Sequence, residues 1–226
     1  MQMFASRGNA VRGLQAVVAA GVAVAAVGLL PASAGAVSVS TTSTTSSTST
    51  TSTTKAAAAK SYTYLQFKKN SKDPSNSRLS LVYVQVVNPD KVRTWTLSTW
   101  RAGSGLGAAN NKIGRNACIP NQGWLPNATY NIGTFYNNHV GTVHGIAWDI
   151  GNKRCKGGGK SGQNRTELFV HSEMLSNGKQ GTSEPTRWDG NGDYKSYGCI
   201  KMKPADVRAL KGYRSNYPKP TKLYVS

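Results

Sequence analysis

The sequence predicts a mainly β, single-domain protein with one short helix near its C-terminus. Three observations carry that expectation. Runs rich in β-branched and aromatic residues recur along the chain, Leu79–Val87 and Val92–Trp100 being the longest. Loops full of Gly, Asn and Pro separate them. Only Pro204–Tyr213 has the apolar spacing of a helix.

At the N-terminus, Arg7 and Arg12 precede an apolar run from Leu14 to Leu30, and Ala32-Ser33-Ala34 follows as a small-residue cleavage pattern. Residues 1–36 therefore read as an export signal, with no stable membrane insertion expected once it is removed; an uncleaved membrane anchor is the alternative. Ser38 to Thr54 is almost pure Ser and Thr. Such a segment cannot bury enough apolar surface to offset the entropy of ordering it, so 37–61 is expected to be a disordered linker. Residues 62–226 remain for the folded part, about 165 residues, enough for one core and too few for two.

Leu79–Val87 ends at the turn-forming Asn88-Pro89-Asp90, and Val92–Trp100 alternates apolar and polar side chains, so the two are expected to pair as a hairpin. Further short strands are expected around Tyr130–Tyr136, Val143–Ile150, Thr166–His171 and Lys222–Val225. In the helix, Pro204 suits the first turn, and Val207, Ala209 and Leu210 are expected on one face. The tryptophans Trp95, Trp100, Trp124 and Trp148 read as core and loop-packing residues. Trp188 stands apart, because it lies in the long segment that leads to Cys199 and should border a cleft.

The formal net charge is +19, which draws a surface toward polyanions. An exported protein meets anionic cell-wall polymer rather than nucleic acid, so the former is the expected partner. A generally basic, soluble surface is the alternative.

The chemistry concentrates at Cys199. The chain has three cysteines, so one must stay unpaired or find a partner elsewhere. Cys199 has Gly198 before it, which allows a sharp bend, and the predicted helix after it, whose dipole would favour a thiolate if it pointed there. It is the candidate nucleophile. A thiol of ordinary pKa, about 8.5, needs a base or a positive field, and backbone N–H groups must meet the oxyanion of acyl transfer. Of His139, His144 and His171, the last is best placed, ending the strand-like Glu167–Val170 and followed by Ser172.

Phe169-Val170-His171-Ser172 together with Ser196-Tyr197-Gly198-Cys199-Ile200-Lys201-Met202 resembles the catalytic motif of the YkuD-type L,D-transpeptidases. Trp124–Ile132 is similar to an upstream segment of that family, and Leu81–Gly103 to its opening hairpin. The resemblance implies a YkuD-like β-sandwich or mixed-sheet domain and a two-step acyl transfer on peptidoglycan stem peptides through a thioester. It assigns Cys199 as nucleophile, His171 as base and Ser172 as the residue that orients His171 through its main chain or hydroxyl. It makes Tyr197, Gly198 and Lys201 substrate-side residues, with Lys201 holding a carboxylate as a point charge; Trp188 is expected on the same side from its place in the long segment. Tyr197 stands where the family has histidine, and the segment from Ser172 to Lys195 is longer than usual, a lid or substrate wall. With Cys199 as nucleophile, Cys118 and Cys155 are left as a disulfide pair in an oxidising compartment. Pairing of Cys199 with either of them stays open to the sequence.

Other motifs carry less. Gly157-Gly158-Gly159-Lys160-Ser161 ends like a phosphate loop, but Arg154 holds the first glycine position and no strand precedes it. Asp189, Asn191 and Asp193 copy a calcium loop, yet Tyr194 replaces its glycine and Ile200 its closing Glu, so a loop of Asx turns is expected. His139 and His144 lack further ligands in zinc spacing. No metal or cofactor is expected. A non-catalytic wall-binding protein on the same scaffold and a secreted cysteine peptidase are the alternative functions.

Overall fold

A computed structural model describes residues 60–106, 114–156 and 162–226. The expected signal, all but the last two residues of the expected linker, and the Gly157–Ser161 loop lie outside the described residues. Strand β1 (Lys60–Lys68) begins within that expected linker. Lys60 and Ser61 pair there with Val86 and Gln85, so the folded part starts earlier than composition suggested. Among the described residues no helix is long and apolar enough to cross a membrane.

The hairpin is present as β2 (Ser77–Asn88) and β3 (Lys91–Gly103). Its base is buried through Leu79, Leu81, Trp100 and Ala102, whereas its tip stands in solvent, with Val92 and Trp95 exposed. Trp95 is therefore not a core residue; it stacks on Tyr83 across the ribbon. The remaining strands are β4 (Ala128–Asn131), β5 (Phe135–His139), β6 (Gly145–Asp149), β7 (Lys153–Arg154), β8 (Asn164–Arg165), β9 (Phe169–His171), β10 (Ile200–Met202) and β11 (Lys222–Val225). Between the last two lies α1 (Pro204–Gly212). Val207 and Leu210 of α1 are buried as expected, but Ala209 faces solvent.

Among the described residues, nine strands form one mixed sheet in the order β4-β11-β1-β2-β3-β10-β9-β6-β5, and β7-β8 make a separate ribbon. The two edge strands, β4 and β5, are consecutive in the chain. Only Ile132 to Thr134 joins them, so the sheet must curl until its edges meet, since three residues reach only about 10 Å. That linker is held by Thr221 at one edge and Asp149 at the other. The single strand expected over Tyr130–Tyr136 is thus two strands that end on opposite edges.

Inside the curl lies one apolar core. Leu65, Phe67, Leu79, Leu81, Trp148, Val170, Ile200, Met202 and Leu223 meet Val207 and Leu210 of α1. Side chains alternate along a strand, so the neighbours of these core residues in β6, β9 and β10 project from the other face. There Ala147, Phe169 and Cys199 form a second, smaller cluster with Val143. Cys199, the candidate nucleophile, lies on that outer face.

Candidate active site

Strand β10 pairs antiparallel with β3 and parallel with β9, placing Lys201 opposite His171 and Ile200 opposite Val170. Cys199 lies two residues before Lys201, so Cys199, Lys201, Phe169 and His171 share the outer face. The sequence showed both halves of this pair but not the strand β10 that brings them together. Three residues are too few for periodicity to reveal. The same strand separates Cys199 from α1, which begins five residues later.

Cys199 enters the sheet through a turn whose form is fixed by Gly198, at φ +121°. Ser196 braces the turn: its hydroxyl donates to the Cys199 carbonyl at 2.6 Å and accepts from the Gly198 N–H at 3.3 Å. Ser104 donates to the Gly198 carbonyl at 3.2 Å. The sulfur itself accepts a hydrogen bond from the Phe169 N–H and donates to the Glu167 carbonyl, both at 3.4 Å. Glu167 presents that carbonyl from a left-handed conformation, φ +53°, uncommon for a residue with a side chain. In this resting arrangement the thiol proton is directed at Glu167, and no hydrogen bond joins the thiol to His171 among the described residues.

Burial pushes the Cys199 thiol up to about 11, against the opposing pull of the Phe169 N–H, Arg165 and Lys201. His171 is also buried, and burial first, then the charge of Lys201 and the neighbouring His139, lowers its pKa to about 4; the bond to Ser172 opposes this. The pair therefore rests as neutral thiol and neutral imidazole. His171 Nδ1 lies 3.0 Å from the Ser172 carbonyl. Because a carbonyl only accepts, Nδ1 carries the proton and Nε2 is left as the basic nitrogen. Of the two routes expected for Ser172, the main chain is the one that meets the imidazole; its hydroxyl points to the Glu173 carbonyl.

A cleft of about 940 Å³ opens over Cys199, His171 and Lys201. Ser196 and Tyr197 lie on its wall, as do Asp189, Gly190 and Asp193 from the long segment between Ser172 and Lys195. Asp193 accepts from the N–H groups of Asp189 and Gly190 at 2.7 and 2.6 Å, so this segment is held by bonds that reach back along the chain rather than by the forward Asx turns expected. Arg187 bridges Glu184 and Asp189 at 2.9 and 2.7 Å. Trp188 is half-buried, edge-on to Tyr194, with Lys201 Nζ 5.7 Å from its ring.

Lys201 is buried and already paired, its Nζ 2.7 Å from Glu173. A substrate carboxylate would have to share or replace that partner. Tyr197 projects its ring into solvent and turns its carbonyl inward to Arg165 at 3.1 Å. His139 instead serves the structure, its Nδ1 2.7 Å from the Val143 carbonyl and its ring against Phe169.

Two contributions were not read from the sequence. Five of the nine acidic residues, Glu167, Glu173, Glu184, Asp189 and Asp193, line this one cleft of a strongly basic chain. Arg165, on the distant β8, reaches the Cys199 turn; no local pattern around Asn164-Arg165 signals it. Cys118 and Cys155 form a disulfide, with Cys199 the free thiol. It ties the loop before Trp124 to the β7-β8 ribbon that carries Arg165. Comparison with protein-family models, curated proteins and solved structures finds no match to this chain.

Proposed function

We propose that the chain is an exported cysteine acyltransferase of the L,D-transpeptidase type, with a YkuD-like domain acting on peptidoglycan stem peptides. One observation carries the reading: a free cysteine and a buried histidine with its Nε2 unprotonated stand on one sheet face, on neighbouring strands, under one cleft. Cys199 Sγ attacks the carbonyl carbon of the donor while His171 Nε2 takes the thiol proton. The C–N bond to the terminal amino acid then breaks, leaving a thioester, and His171 delivers the proton to the departing amine. An acceptor amine attacks the thioester, the C–S bond breaks, and the proton returns to sulfur through His171. Water as acceptor gives carboxypeptidase activity.

The backbone N–H groups at Cys199 and its neighbours are the proposed oxyanion donors. The acidic lining supports an amine as acceptor, since carboxylates concentrate cations in a low-dielectric cleft. The rest of the surface suits an anionic wall polymer. A second groove, beside α1, is lined by Arg208, Lys211, Arg214 and Lys219 with no carboxylate.

The test is acylation. A carbapenem, which mimics the acyl donor, should add its mass to Cys199, and Cys199→Ala should abolish both the adduct and turnover of a stem tetrapeptide while the fold persists. A folded protein that neither acylates across a panel of carbapenems nor processes tetrapeptides defeats the reading. The buried, protonated thiol and its bond to Glu167 favour one competitor, a non-catalytic wall-binding protein. That protein would bind cell wall in a salt-sensitive way, unaffected by Cys199→Ala.

A further inference from the structure

Arg165 is almost fully buried, yet among the described residues no carboxylate pairs with it. Its guanidinium is met by main-chain carbonyls alone. Nη1 donates to Ala117 and, at 3.3 Å, to Trp124; Nη2 donates to Gly123 at 3.0 Å and to Tyr197 at 3.1 Å. These bonds join three segments: the β7-β8 ribbon, the 117–124 loop and the turn that delivers Cys199. Contact with the turn is so close that a Cβ at position 198 would lie 2.0 Å from Nη2.

Carbonyl dipoles satisfy the Nη1 and Nη2 N–H groups without cancelling the buried charge, and a buried cation without a counter-ion is unfavourable. Two acidic groups share its field, Tyr130 and Cys199. The Tyr130 hydroxyl is itself buried and donates to the Pro126 carbonyl at 2.8 Å, and burial raises its pKa above the ordinary value, so it keeps its proton. Cys199 is left as the group whose ionisation would give the guanidinium a counter-charge. The other charges that act on the sulfur are Glu167, from the loop before β9, and Lys201 from β10, whose charge Glu173 meets. His171, from β9, is uncharged at neutral pH.

We propose that Arg165 is the positioning residue of the Cys199 turn and that its unpaired charge favours the Cys199 thiolate. It thereby does from inside the fold what residue 197, an exposed tyrosine here, does not do from the motif. This rests on Cys199 being the reacting group and is independent of which acyl donor it meets.

The experiment compares native protein with Arg165→Met and Arg165→Lys. The free thiol is alkylated with iodoacetamide across a pH range without reductant, and the adduct at Cys199 is followed by mass; hydrogen exchange follows the Gly198 and Cys199 amides. Arg165→Met should slow alkylation at pH 9 at least fivefold and move the rate-against-pH curve to higher pH. Arg165→Lys, which keeps the charge but not the fork, should leave the curve within twofold of native and speed exchange at the turn at least tenfold. A Met variant whose curve superimposes on the native one, or a Lys variant with native exchange, overturns the proposal. If Arg165→Met does not fold, Arg165→Lys carries the test: a native curve with faster exchange supports the proposal, and a displaced curve or native exchange ends it. Absence of carbapenem or tetrapeptide acylation, with these results intact, would count against the acyltransfer reading alone.

Discussion

Replacing Gly198 with alanine is the sharpest test of how the Cys199 turn is built. At φ +121° any residue with a Cβ pays about 1–2 kcal/mol in backbone strain. The new Cβ would stand 2.0 Å from Arg165 Nη2 and 3.3 Å from the Gly123 carbonyl oxygen. An exposed arginine would swing its tip away at little cost. This one is enclosed, and moving Nη2 breaks its bonds to Gly123 and Tyr197. Hydrogen bonds to charged groups are worth about 1.5–3 kcal/mol each. The total is about 4 kcal/mol or more, a large part of the roughly 5–15 kcal/mol that holds a domain folded. Urea unfolding of the variant against native protein measures it directly. A loss below about 1 kcal/mol would mean that the guanidinium is free to move and that the turn is not held as described.

Three further outcomes follow from the same geometry. His171 is neutral when buried, with its pKa near 4 against about 6.5 in an unfolded chain. As pH falls through this interval the unfolded state binds a proton that the folded state refuses, so stability is full above about pH 6.5 and drops by about 3 kcal/mol by pH 4. Between pH 7 and pH 4.5 the native protein should lose about 2 kcal/mol more stability in urea unfolding than His171→Gln, which has no group to titrate there; equal pH sensitivity in both would refute the assignment. Reducing Cys118–Cys155, which closes a loop of sequence separation 37, should lower stability by about 4 kcal/mol. Calorimetry with and without reductant reads it, and a change under about 1 kcal/mol contradicts the loop's restraint. Gly212→Ala, at the end of α1 with nothing within 4 Å of the added Cβ, should stabilise by about 0.5–1 kcal/mol in urea unfolding. A loss would show an unseen contact there.

Much of the site was legible because its signals are local. Gly198-Cys199 and His171-Ser172 each announce themselves within four residues, and β2, β3, α1 and β11 follow from hydrophobic period and turn chemistry. The failures are all relational. β1 went unread although Thr63, Leu65 and Phe67 alternate inward, because a flanking run of Ala and Lys made its start look like linker. Tyr130–Tyr136 looked like one strand, since nothing local says that the sheet's two edges meet between Asn131 and Phe135. Lys201 is expected from the motif to hold a substrate carboxylate as a point charge, whereas the carboxylate it meets in the structure, Glu173, sits on a different segment.

By itself, then, the sequence determined the mainly β class, the helix after Cys199, and the residue types of a candidate cysteine–histidine site, because each depends on neighbours along the chain. Only the tertiary structure decided which protonation states those residues hold and what surrounds them. Burial leaves the thiol and imidazole neutral, the loops on either side of β9 fold five carboxylates around the cleft, and Arg165 comes to the Cys199 turn from another strand. Those are effects of dielectric and distance through space, which residue order does not encode one position at a time.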